Sequence, residues 1–152
     1  MSRRILPAAP VFEDFDTGDV HVSYARTVTE SHLVTFTAMA GLQLPLFIDH
    51  GHARANTPFG GPIAPGFLTA SLSAGMLESV LGGNVIAGLG MDAFRFQQPV
   101  RVGDTLHAEV KVLEKKETRD PSRGVITFGI AVLNQGSEVA LDYRATVLVR
   151  RR

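Results

Sequence analysis

The stretch from Thr57 to Leu81, TPFGGPIAPGFLTASLSAGMLESVL, constrains this chain more than any other. It opens with a turn built from Pro58, Gly60, Gly61 and Pro62, and the run from Gly66 to Leu81 then holds no Pro. Phe67, Ala70, Ala74, Leu77 and Leu81 recur at helical spacing, and Leu68, Leu72, Met76 and Val80 fill an adjacent stripe. Two apolar stripes on one helix call for burial on most of its sides. A small domain meets that demand when a curved sheet wraps around the helix. Glycines just before such a helix let a ligand approach the backbone, and the free N–H groups at its start favour negative charge. The same glycines also serve simply to make the turn.

The rest of the chain supplies the sheet. Residues 1–19, with Pro7, Pro10 and the acidic run Glu13-Asp14-Phe15-Asp16, read as an irregular lead-in. Val20, Val22, Tyr24, Arg26 and Val28 alternate with His21, Ser23, Ala25 and Thr27, which predicts a strand. Thr29 is a helix cap, and Leu33, Phe36, Thr37 and Ala40 share a face of a helix ending near Gly41. Residues 42–56 hold Pro45 and Gly51 and read as loop with one helical turn. After Gly82-Gly83 the chain turns β-rich, with strands expected over 85–96, 105–117, 125–134 and 139–150. Strand, helix, loop, long buried helix and four antiparallel strands make an α+β domain.

Composition excludes several classes. A chain of 152 residues forms one domain, here 1–152, with no linker or repeat. Its formal net charge of +0 argues against nucleic-acid binding, which needs a basic stripe. Arg3-Arg4 and Arg150-Arg151-Arg152 read as solvated ends. With no cysteine there are no disulfides, no thiolate zinc site and no Cys nucleophile. No apolar run approaches the ~20 residues of a membrane span, so a cytoplasmic protein without membrane association is expected.

Four segments in this order resemble the hot-dog fold of the MaoC-like dehydratases, the family that includes (R)-specific enoyl-CoA hydratases. Phe59-Gly60-Gly61-Pro62-Ile63-Ala64-Pro65-Gly66 is similar to the family's turn before its central helix. Phe94-Arg95-Phe96, with Pro99 to Leu106, resembles its strand-turn-strand signature. The helix over 27–41 and Val110, Leu113, Glu114 and Lys115 match more loosely. The resemblance runs from Phe12 to Leu148. It implies an antiparallel sheet around the helix, and a dimer whose sheets join edge to edge. It also implies an acyl-CoA or acyl-carrier-protein thioester as ligand, with no cofactor and no metal.

Family hydratases carry Asp-x-Asn-Pro-(aliphatic)-His, whose Asp and His hold the water that adds to a 2-enoyl thioester. One group must take a proton from water and another must deliver one to carbon. A backbone N–H at the central helix start polarises the carbonyl. Here the matching stretch is Gly41-Leu42-Gln43-Leu44-Pro45-Leu46-Phe47-Ile48-Asp49. Pro45, Leu46 and Asp49 fit the pattern, but Leu42 stands at the Asp position, Leu44 at the Asn and Phe47 at the His. Neither Leu nor Phe transfers a proton. Gly66 matches the family's carbonyl-binding glycine, though Pro65 replaces the His common before it.

The resemblance therefore implies a binding scaffold without its acid–base pair, with Thr57, Phe59, Ile63, Ala64, Gly66 and Phe47 around the ligand. Asp49 and His50 are the nearest substitutes, and His50 with His52 has metal-ligand chemistry, although a solvated loop explains them more simply. Arg54 and Arg101 are candidate contacts for CoA phosphates. Ser71 and Ser73 have no neighbouring His and make improbable nucleophiles. The expectation is an acyl-thioester-binding protein, catalytically silent or the silent half of a heteromer. The alternatives are a thioesterase with altered chemistry and an interaction module.

Overall fold

The structure, a computed structural model, describes residues 5–152, so Arg3 and Arg4 lie outside the described residues. Strands β1 (Val20–Val22) and β2 (Arg26–Thr27) precede three helices: α1 (Glu30–Ala40), α2 (Pro45–Ile48) and α3 (His50–Asn56). The long helix α4 (Gly66–Leu81) follows, and then strands β3 (Val85–Phe96), β4 (Thr105–Glu117), β5 (Arg123–Leu133) and β6 (Val139–Arg150). All strand pairs are antiparallel, and the sheet runs β1-β4-β5-β6-β3 with β2 also paired to β4.

Period-two alternation makes β4, β5 and β6 two-faced strands. Ile126, Phe128, Ile130 and Val132 of β5 are buried with Leu141, Tyr143, Ala145, Val147 and Val149 of β6, and this face receives α4. The helix presents Leu68, Leu72, Met76, Leu77, Val80 and Leu81 to it. Phe67 does not join them and is 69% exposed, while Ala70 and Ala74 are half-buried. Burial on most sides of the helix is thus corrected to burial of one broad face, because one sheet covers only one side. Two polar residues, Thr69 and Ser73, lie on that buried face instead. Ser73 Oγ donates to Ala70 O at 2.8 Å and lies 2.9 Å from Tyr143 Oη. Gly82 ends the helix at φ +65°, and a side chain there would meet Pro10 Cδ at 2.8 Å and Ala8 O at 2.9 Å.

Two further expectations are revised. The strand expected over 20–28 is interrupted at Ser23, whose N–H donates to Ala108 O at 2.9 Å and whose Oγ accepts from Ala108 N at 2.8 Å. A side chain has taken the place of the backbone acceptor, and the ladder breaks there. The segment 42–56 is mostly helical rather than loop. Pro45 stands in the first turn of α2, where its missing N–H costs nothing. Asp49 caps α3 by accepting from His52 N at 2.8 Å. Thr29 caps α1 through its Oγ1, and Gly41 closes that helix in the left-handed region at φ +66°, both as expected.

Candidate functional site

Two cavities hold part of the residues that the sequence singles out. The first, of about 380 Å³, lies at the start of α4 and is lined by Phe59, Ile63, Ala64 and Gly66 with Phe67, Phe96, Gln97 and Gln98. The turn that forms its wall is held from both sides. Ala64 N donates to Val100 O at 2.7 Å, and the Arg101 guanidinium donates to Phe59 O. The Arg101 side chain therefore positions Phe59. Thr57 does not line the cavity; its Oγ1 donates to Ala53 O at 2.5 Å and so fixes the end of α3.

Gly66 is needed for packing as well as for any approach of a ligand. An added Cβ would lie 2.6 Å from Phe96 Cε1 and 2.7 Å from its Cζ. The Phe96 ring rests against the helix start, in the place a side chain would occupy.

The second cavity, of about 310 Å³, lies between α1 and α2 and is lined by Leu33, Val34, Thr37, Ala38, Leu42, Phe47 and Ile48, together with Glu30 and His50. Leu42 and Phe47 thus share this cavity, while Gly66 lines the first. Leu44 is 59% exposed. The hydroxyl among these residues, that of Thr37, donates to Leu33 O at 2.8 Å. The carboxylate and imidazole in the lining are those of Glu30 and His50, which pair with each other.

The candidate substitutes behave differently from each other. Asp49 is engaged as the α3 cap. His50 Nε2 lies 3.3 Å from Glu30 Oε1, with both side chains about half exposed. His52 Nδ1 meets Asn56 Nδ2 at 3.4 Å. Among the described residues no group of three or more His, Asp or Glu is arranged to hold a metal ion. Arg54 is exposed on α3. Ser71 Oγ donates to Phe67 O at 2.7 Å on the solvent side of α4, and Asp92 pairs with Arg144 at 3.0 Å outside both cavities.

Sequence reasoning missed Glu30 as the partner of His50, since nothing local signals a pairing that depends on how α1 and α3 pack. It also missed Phe96 as the cover of Gly66. The alternation Phe94-Arg95-Phe96 does place both rings on one face, and that was the available signal. Tyr143, beside Phe94, has its pKa raised from the ordinary 10.0 by burial, against the lowering effect of its hydrogen bond with Ser73.

Known proteins are similar to this chain in sequence and fold. The chain is 31% identical over 141 residues to 3-hydroxybutyryl-CoA dehydratase of Methylorubrum extorquens, covering 93% of this chain and 85% of that protein. It is 31% identical over 151 residues to β-methylmalyl-CoA dehydratase of Chloroflexus aurantiacus, covering 93% of this chain but only 40% of that longer protein. A Mycobacterium tuberculosis structure with a double hotdog fold superposes with a TM-score of 0.86 at 21% identity, covering 95% of this chain and 45% of that one. The fold is accordingly the hot-dog fold, an antiparallel sheet with a long central helix. Residues 15–132 match the model of the MaoC like domain, and the chain belongs to the MaoC-like dehydratase family.

Proposed function

We propose that this chain is a cytoplasmic protein that binds acyl thioesters, of coenzyme A or of acyl-carrier protein, without hydrating them itself. The observation that carries this reading is the cavity shared by Leu42 and Phe47. Relatives named as CoA dehydratases support the ligand class. The apolar replacement of both acid–base positions supports silence, because hydration needs one group to deprotonate water and another to protonate carbon. The start of α4 serves the carbonyl end, with Gly66, Ile63, Ala64 and Phe59 around it and no cofactor involved.

A dimer is part of the proposal. Strand β3 ends the sheet and pairs on one side with β6. It exposes Ile86, Leu89 and Met91 at 45%, 54% and 50%. A long apolar edge strand is a template for a further strand, and a second copy or a related hot-dog subunit would cover it. Light scattering at micromolar concentration is expected to give twice the chain mass.

The test of binding is thermal: acyl-CoA in excess should raise the melting temperature, because a ligand of the native state stabilises it. No shift with any acyl-CoA or acyl-carrier protein would leave an interaction module as the better reading. The Glu30–His50 pair favours one second reading, hydrolysis of the thioester with the imidazole as base. Release of free CoA thiol by the purified protein would select it.

A further inference from the structure

We propose that the cavity at Gly66 selects a planar aromatic acyl group over a saturated one of the same size, with Phe96 and Phe67 as the residues that set the preference. This rests on the acyl-thioester reading above and names the class of acyl group.

Three rings run in near-parallel sequence from the core to this cavity. Tyr143 and Phe94 stack with centroids 4.8 Å apart and planes 10° apart. Phe94 and Phe96 follow at 6.4 Å and 18°. The inner end is fixed, since Tyr143 is buried and its hydroxyl lies 2.9 Å from Ser73 Oγ. The outer end is Phe96, which lines the cavity and is 53% exposed. Phe67 stands across the same space, with its ring at 70° to Phe96 and centroids 6.5 Å apart. A guest ring is thus offered a face to stack on and a second ring set nearly at right angles to the first. Those are the two arrangements that aromatic quadrupoles prefer, and they add to the area buried. A saturated ring buries similar area without that addition. The side chains of Phe94 and Phe96 lie on the helix side of β3, where Phe96 meets Gly66 and Phe94 stacks on Tyr143.

The test compares benzoyl-CoA with cyclohexanecarbonyl-CoA by titration calorimetry on the full chain, with crotonyl-CoA as a reference. The expected result is about threefold to tenfold tighter binding of benzoyl-CoA. That preference should vanish in Phe96→Leu, which keeps an apolar side chain, and persist in Phe96→Tyr, which keeps the ring. Circular dichroism first establishes that each variant is folded; if Phe96→Leu is not, Phe67→Leu replaces it, with a reduced preference expected. Equal affinities in the unaltered protein overturn the proposal, as does a preference that survives Phe96→Leu, while thioester binding itself stands in both cases. If crotonyl-CoA and both ring thioesters fail to bind, the thioester reading falls and this proposal falls with it.

Discussion

His50 and Glu30 meet at 3.3 Å, Nε2 to Oε1, in the lining of the cavity that they share with Leu42 and Phe47. The contact ties the first turn of α3 to the first turn of α1. Both partners are about half exposed, so solvent screens the pair. Such a pair is worth about 0–1 kcal/mol. Replacing His50 by Ala or Glu30 by Gln is expected to lower stability by less than ~1 kcal/mol in urea denaturation and to leave acyl-CoA affinity unchanged. A large loss of affinity in either variant would assign the pair to the binding site.

Gly66→Ala should be destabilising although Ala is the better helix former. Propensity favours Ala by about 1 kcal/mol. Against this, the new Cβ would lie within 2.6 Å of Phe96. Overpacking of that kind costs roughly 1–3 kcal/mol. The expected net loss is up to ~2 kcal/mol, with weakened acyl-CoA binding. The double variant with Phe96→Ala should show less than the sum of the two single losses, because removing the ring removes the clash.

Tyr143 gives the fold an alkaline limit. Burial raises its pKa above the ordinary 10.0, so the folded state holds the proton more tightly than the unfolded one. The stability it contributes is fully present below pH 10 and is lost as the pH rises from there through the folded pKa. Stability measured in urea should fall across that interval in the unaltered protein and fall less in Tyr143→Phe.

The long central helix, the positions of β3 to β6 and the caps at Thr29 and Gly41 were legible because they rest on local chemistry: periodicity, turn residues and capping. Which side of α4 is buried was not. Phe67 and Leu68 both continue helical stripes, and only the placement of the sheet decides between them. The helices α2 and α3 were hidden by Pro45 and Gly51, which read as breakers although Pro45 stands where a helix tolerates it. At the candidate site, the apolar character of Leu42 and Phe47 could be read directly from the sequence. That Gly66 and Phe47 line different cavities could not, because it depends on where α1 and α2 pack.

Introducing the family's polar residues tests the apolar cavity as the proposed cause of silence. Leu42→Asp, Leu44→Asn and Phe47→His together should create measurable hydration of crotonyl-CoA. Leu44 is exposed, so its change should be tolerated. The other two introduce polar groups into an apolar pocket, at roughly 1–3 kcal/mol each if unpaired. The triple variant is therefore expected to be folded but less stable. A folded triple variant that binds acyl-CoA and stays inert would show that more than the pair is missing.

The central claim is binding without hydration, and one paired measurement on the purified protein tests it: crotonyl-CoA affinity by calorimetry, and loss of the enoyl absorbance in the same solution. An acid–base group is commonly worth ~10²–10⁴-fold in rate. A saturable binding isotherm is expected, with hydration at the uncatalysed rate. Rapid hydration by the unaltered chain, abolished in His50→Ala, would contradict it and place the acid–base function at the Glu30–His50 pair.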